Sequence, residues 1–411
     1  MLLAELSSAR VRFDAVRSRV RYDARMRIAI VGAGAVGSAT ARFLANEGHA
    51  VTVYEQFTVD HDRGSSFGPS RITRKTYPDP FYTGLMLHAY PLWAALEHDA
   101  RETLFEPVGG LFFGRAAGSE MQGVLRALRE NGVEHEVFEA RSSAGRFPAF
   151  VLREGEIAVF EREAGFLRAS ACVRANVRLA VSAGAVLREK TVVRELRAVA
   201  SRGVEIVDSG GEAGAFDHVI VTAGPWSPEV LSHAKLPLRV TRQVYVHLEP
   251  AREASRFARG AFPIWIDFDS MHYGFPDDGV YPGIKIARHM QGDAADPEHV
   301  DRTVHDRDRE PLVAYARERL PDLSSRVVFE KVCLYTNTRD EDFVVDTIPG
   351  IAASTFVAGL SGHGFKLSIL LGRIAAWRAT GAKVPMDVSR FAAGRAGLQA
   401  PVSGLRASDN G

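Results

Sequence analysis

Three groups of residues in this 411-residue chain have types and spacings suited to chemistry. Gly32, Gly34 and Gly37 spell G-x-G-x-x-G directly after the apolar run 28–31 and directly before a helical pattern. In such a turn the first glycine permits the sharp bend, the second lets a pyrophosphate approach the backbone, and the third lets helix and strand pack closely. The helix N-terminus then offers free N–H groups and a positive dipole end to phosphates. Glu55 closes the next strand-like run, at about the spacing where an acidic residue takes ribose hydroxyls. The second group is "GLSGHGFKLS", where Lys366 sits just inside a helix start. A cation there is disfavoured by about 0.3–1 kcal/mol, and an unpaired buried charge costs more. Something should compensate it: an Asp or Glu partner, solvent reached by snorkelling, or a substrate carboxylate. The third group is "KVCLYTNTRDEDF", which places Cys333, one of two cysteines, in a half-buried strand before a polar turn.

The elements that must hold these residues can be read from periodicity. Residues 27–55 predict strand, glycine turn, helix from Ala35 to about Glu47 stopping at Gly48, and second strand, a βαβ unit. "FDHVIVTAGPW" and "STFVAGLSGHGFKLSILLGRIAAWRATG" resume strand-turn patterns in the middle and at the end of the chain. Between them "GGLFFG", "QVYVHLEP", "FPIWIDF", "MHYGFP" and "GIKIARH" alternate as antiparallel strands do. The expected fold is α/β: a Rossmann-type FAD-binding domain (26–104, 165–236 and 333–395) interleaved with a mostly antiparallel substrate domain (105–164 and 237–332). Residues 1–25 read as an arginine-rich N-terminal extension without a signal-peptide apolar core, Met26 as the expected natural start, and 396–411 as a frayed tail. A nucleotide domain interrupted and resumed twice favours FAD over NAD. In that setting the N–H groups of Gly362 and Gly364 are suited to stabilising negative charge on a reduced flavin.

Composition narrows the partners. With 51 basic and 50 acidic side chains, the net charge is +1, which supports neither a nucleic-acid nor an anionic-membrane partner. No apolar stretch reaches the roughly 20 residues of a membrane span. No Cys/His cluster has metal-ligand spacing, and two cysteines make no disulfide framework, which suits a reducing, cytoplasmic setting. Cys172 lies in no motif and reads as a buried, inert thiol.

"GSSFGPSRITRKTY", "YGFPDDGVYPGIKIARH" and "CLYTNT…DFVVD…GLSGHGFK", taken with "VGAGAVG", resemble the monomeric sarcosine oxidase and N-methyltryptophan oxidase family of FAD-dependent amine oxidases. The resemblance runs from Met26 to about Arg395. It implies FAD bonded through sulfur at Cys333, and a substrate carboxylate held by Arg74 and Lys366. It implies a lysine over the flavin, Lys285, that promotes reaction with dioxygen. Arg71 is the first arginine of the family's R-I-x-R pair. His289 matches a pocket histidine, and Tyr273, Tyr335 and His363 match residues lining the substrate cavity. The chain departs from the family where "SFGPSR" replaces "HHGDTR", and where Ile264 stands at a pocket position with Trp265 beside it. Those changes touch substrate choice more than flavin chemistry.

The resemblance therefore implies a monomeric oxidase of a secondary or N-methylated amino acid, with hydride transfer to flavin and reoxidation by O2 to H2O2. A cyclic imino acid or fructosyl amino acid would suit the same clamp. Three rivals stand beside it: an FAD-dependent dehydrogenase passing electrons to a carrier, an NAD-dependent enzyme, and a silent nucleotide-binding scaffold.

Overall fold

The unbroken apolar run after Met26 forms a strand, Arg27–Val31, that is buried on both faces. Ile28 and Ile30 pack against the helices Ala35–Asn46 and Ser368–Thr380. Ala29 and Val31 pack toward a small three-stranded sheet built from residues 193–216. A computed structural model describes residues 25–199, 203–289 and 292–399. The expected extension, apart from Arg25, and the end of the expected tail lie outside the described residues. The start of that tail is not frayed: Ala396–Gln399 is a helical turn that buries Leu398.

Arg27–Val31 lies inside a six-stranded sheet in the order Val344–Asp346, Ser354–Ala358, His218–Val221, Arg27–Val31, Ala50–Tyr54, Val186–Arg188. All pairs are parallel except the antiparallel edge strand Val344–Asp346. The chain crosses from Arg27–Val31 to Ala50–Tyr54 and Val186–Arg188 on one side and later returns to His218–Val221 on the other, so a crevice opens at the carboxyl end of Arg27–Val31. The helix expected to end near Glu47 spans Ala35–Asn46, with Glu47 as its C-cap.

The alternating segments pair into an eight-stranded sheet, in the order Leu323–Asn337, Arg239–Pro250, Ile284–Arg288, His272–Gly274, Ile264–Asp267, Gly110–Arg115, Glu156–Glu161, Glu136–Glu139. One pair, Ile264–Asp267 with Gly110–Arg115, is parallel; the rest are antiparallel. The expected division at 332/333 falls inside the Leu323–Asn337 strand, because that strand continues unbroken through Cys333.

Register decides which side chains meet. Tyr273 lies opposite Ile266 and Ala287, Ala287 opposite Tyr245, Lys285 opposite His247, Gln243 opposite Cys333, and Thr241 opposite Tyr335. Opposed residues share a face and alternate residues return to it. Ile266, Tyr273, Lys285, Tyr245, Cys333 and Tyr335 therefore form one surface. The other face, with Val246, Leu248, Trp265, Ile284 and Ile286, packs against Leu312, Tyr315 and Ala316 of the helix Asp306–Arg319.

Candidate active site

A cavity of about 680 Å³ lies between that sheet surface and the glycine turns of the parallel layer. It is lined by every residue expected to hold cofactor or substrate or to act in catalysis, except Gly37. The fold thus brings together positions separated by more than 300 residues in the chain.

At the glycine end, Gly32 has φ +98° and its N–H donates to the Tyr54 carbonyl at 2.8 Å. A Cβ there would stand 2.6 Å from the Thr222 carbonyl oxygen. Gly37 lets helix and strand close on each other, since its Cβ would be 1.9 Å from the Gly32 oxygen. The helix Ala35–Asn46 starts from Gly34 without a side-chain cap, and Ser66 Oγ accepts the Ala35 N–H at 3.0 Å. Glu55 accepts the N–H groups of Ala33 and Phe57, both at 2.9 Å. Its buried carboxylate therefore also fixes the turn it faces. A bare helix start beside a bend that admits no side chain fits a pyrophosphate, and Glu55 is placed to meet a ribose.

In the middle, Cys333 is half-buried and borders the cavity. Burial pushes its thiol up from the usual range, while Arg71 and Lys285 pull it down. Lys285 is 3% exposed, and its Nζ lies 4.3 Å from the Tyr245 ring centre and 4.6 Å from that of Phe275. Burial lowers it to about 7, Arg71 adding to the fall. Arg71 turns its guanidinium inward on three carbonyls, those of Ser70 (2.9 Å), Ser65 (2.8 Å) and Phe67 (2.7 Å), and so clamps the 65–71 loop.

At the far end two cations share a tyrosine. The Arg74 guanidinium carbon lies 4.2 Å from the Tyr77 ring centre, and Lys366 Nζ donates to Tyr77 Oη at 3.1 Å and to the His363 carbonyl at 3.0 Å. Arg74 is 7% exposed, yet its Nε and Nη1 have no partner. Among the described residues no carboxylate pairs with either cation, so the Asp or Glu partner considered for Lys366 is not found. Nor does Lys366 snorkel: it is 6% exposed, in the one-turn 3-10 helix Phe365–Leu367 that precedes Ser368–Thr380. Burial holds Lys366 well below its usual value, with Arg74 adding to the fall. Two buried cations without counter-charge suit an anion of the size of a carboxylate.

Neutral groups line the wall between. Tyr273 Oη and Tyr335 Oη lie 3.3 Å apart; burial pushes Tyr273 up to about 12 and Tyr335 well above its usual range. Burial, then Lys366 and Arg74, lower His289 to about 3. His363 is likewise pushed far down, chiefly by burial, and contacts the Glu341 carbonyl at 3.0 Å through Nε2 and Tyr77 Oη at 3.3 Å through Nδ1. Both imidazoles are therefore neutral at neutral pH.

The sequence reading missed Tyr77, which joins Arg74, Lys366 and His363, although it is the last letter of a motif quoted for the resemblance. It also placed Ile264 at a pocket position, but Ile264 is fully buried in a cluster with Phe112, Phe166 and Phe268 and does not line the cavity. Trp265 faces the back of the sheet, and the cavity is lined by Ile266, opposite Tyr273, with Phe268 and Met271 beyond it. The alternation in "IWIDF" held the signal for Ile266. Among the described residues no cluster of His, Cys, Asp and Glu could hold a metal ion.

Residues 27–378 match the family described as FAD dependent oxidoreductase. The chain is 33% identical to monomeric sarcosine oxidase of Streptomyces avermitilis, covering 85% of this chain and 92% of that one. It is 30% identical to N-methyl-L-tryptophan oxidase of Yersinia pestis, covering 89% and 98%. The structure of NikD, an unusual amino acid oxidase essential for nikkomycin biosynthesis, superposes with a TM-score of 0.77 at 25% identity, covering 89% of this chain and 96% of that one.

Proposed function

From the premise that the chain belongs to the FAD dependent oxidoreductase family, as an FAD-dependent amine oxidoreductase of the sarcosine oxidase type, we propose that it oxidises a secondary or N-methylated amino acid and passes the electrons to dioxygen, giving H2O2. The observation that carries this reading is the pair of buried, unpaired cations, Arg74 and Lys366, at the end of the cavity remote from the glycine turn.

Bound FAD supplies a two-electron acceptor for the substrate and a donor to dioxygen. The chain's own residues supply position and charge. Arg74 and Lys366 take the substrate carboxylate, the arginine through its planar fork. The two cations also favour the neutral amine over the ammonium, so that the nitrogen lone pair is free when the neighbouring C–H bond breaks. Neutral His289 and His363 and the Tyr273–Tyr335 pair bound the space for the amine and its substituents. Lys285, in its protonated form, stabilises negative charge developing on reduced oxygen. Cys333 is proposed as the covalent tether of the flavin. The apolar wall of Ile266, Phe268 and Met271 sets the size of the side chain accepted.

The six-stranded layer is proposed as the FAD-binding domain and the eight-stranded sheet as the substrate domain. The relatives named monomeric support a monomer, and two free cysteines support a reducing, cytoplasmic setting. No described helix is long and apolar enough to cross a membrane.

The test is a peroxide assay over N-methyl and cyclic amino acids and their methyl esters. Turnover of acids and none of esters is expected, and Arg74→Met should lower kcat/KM by about 10²-fold or more. Equal turnover of acids and esters would refute the carboxylate clamp. Acid precipitation should leave flavin on the peptide containing Cys333; flavin released to the supernatant overturns the tether alone.

A further inference from the structure

Lys285 has one carboxylate near it that the reaction described above does not use. Asp278 lies in the loop between the strands His272–Gly274 and Ile284–Arg288 and is 2% exposed. Its Oδ1 accepts the N–H groups of Val280 (2.9 Å) and Tyr281 (3.2 Å). Its Oδ2 accepts the Ser70 hydroxyl at 3.2 Å. Among the described residues it has no ion pair. Ser70, fully buried, is the other half of the link: Lys285 Nζ lies 3.5 Å from Ser70 Oγ and 3.4 Å from the Ser70 carbonyl. That carbonyl also accepts from Arg71 at 2.9 Å.

We propose that Asp278, acting through Ser70, is a positioning residue that holds Lys285 in place and favours its protonated form. The charges around Lys285 make the point. The neighbouring strand Arg239–Pro250 presents His247 and Tyr245, and Leu323–Asn337 presents Cys333. Burial keeps His247 neutral, down to about 3, and keeps Tyr245 neutral by pushing it up. Cys333 adds no charge either, as a thiol raised by burial or as the sulfur of the proposed flavin tether. Arg71 from the 65–71 loop is a fixed cation that opposes a second positive charge. Asp278 is the carboxylate that offsets it. Burial and Arg71 bring Lys285 down to about 7 even beside Asp278, so without that carboxylate it would give up its proton at lower pH still, and a neutral amine could not stabilise negative charge on reduced oxygen. This inference rests on the assignment of Lys285 to the oxygen step, but its first readout does not.

The chain has seven lysines, so holoenzyme labelled with ε-13C lysine gives a countable spectrum, with the Lys285 signal identified by its loss in Lys285→Met. Asp278→Asn keeps the acceptor for the Val280 and Tyr281 amides and removes the charge. It should move the Lys285 titration midpoint down by about one unit or more, leaving Lys366 in place. Ser70→Ala should move it in the same direction by less, and carries the test if the asparagine variant does not fold. A midpoint unmoved in a folded variant overturns the proposal. In stopped flow, the alkaline loss of flavin reoxidation rate should shift to lower pH in Asp278→Asn, while the rate of reduction by substrate stays put. If the midpoint shifts but Lys285→Met leaves reoxidation unchanged, the electrostatic link stands and the oxygen role of Lys285 fails.

Discussion

Seven of the 51 basic residues are lysines, and two of the seven are the buried cations of the cavity, Lys285 and Lys366. An arginine stays charged wherever it is put, whereas a buried lysine can surrender its proton and recover it when a counter-charge arrives. Lys366 is held well below its usual value by burial and by Arg74, and a bound carboxylate must raise it again. Between the free and liganded values, binding takes up a proton, and affinity falls as pH rises through the liganded value. Calorimetry with a carboxylate inhibitor in two buffers of different ionisation enthalpy should show net uptake in the wild type and none in Lys366→Met. Zero uptake by the wild type at every pH would remove Lys366 from the clamp. The same depression carries a stability sign. The unfolded chain binds more protons than the folded one between the two values, so apoprotein stability rises with pH through that window. Lys366→Met should therefore raise the apoprotein Tm, most at low pH and least toward the ordinary lysine range.

Turns decide what these side chains face. Gly362 has φ +73°, and a Cβ there would lie 2.1 Å from Tyr335 Cε2. Gly362→Ala must push Tyr335 from the Tyr273 hydroxyl, costing about 1–3 kcal/mol of stability and about 10²-fold in kcat/KM, with flavin content retained. Gly32→Ala, driven into the Thr222 carbonyl, should lose the flavin itself, read as the ratio of visible to ultraviolet absorbance. Two glycine variants with opposite effects on flavin and substrate would separate the two ends of the cavity. Both turns were legible in the sequence because glycine spacing and the switch from period 2 to period 3.6 are local. The wall of the substrate pocket was not. Ile266 faces the cavity because of its pairing with Tyr273, and register between strands is not written in either strand alone. Likewise Tyr77 meets Lys366 across 289 residues of sequence, which no spacing rule reaches.

For the whole molecule, the α/β class and the two kinds of sheet followed from patterning, since a parallel strand packed on both faces is an unbroken apolar run, whereas an antiparallel strand with one face on the core and a more polar face on the cavity alternates. The boundary at 332/333 did not, because Leu323–Asn337 is one 15-residue strand with no breaker at Cys333. Stability should reflect a cofactor lodged between the two layers. A freely exchanging flavin raises Tm with its concentration, by RT ln(1 + [L]/Kd). A tethered one leaves Tm independent of added FAD, so a thermal scan at increasing FAD tests the Cys333 linkage without chemical cleavage.

That long strand has one more consequence. Slipping it by a single residue against Arg239–Pro250 would turn Cys333 to the far side of the sheet. A sulfur linkage could then form only in chains whose eight-stranded sheet had already closed in register. Acid-stable colour per chain would be a certificate of finished folding, stamped once and never erased. Preparations deficient in it would hold misassembled protein that extra FAD cannot rescue.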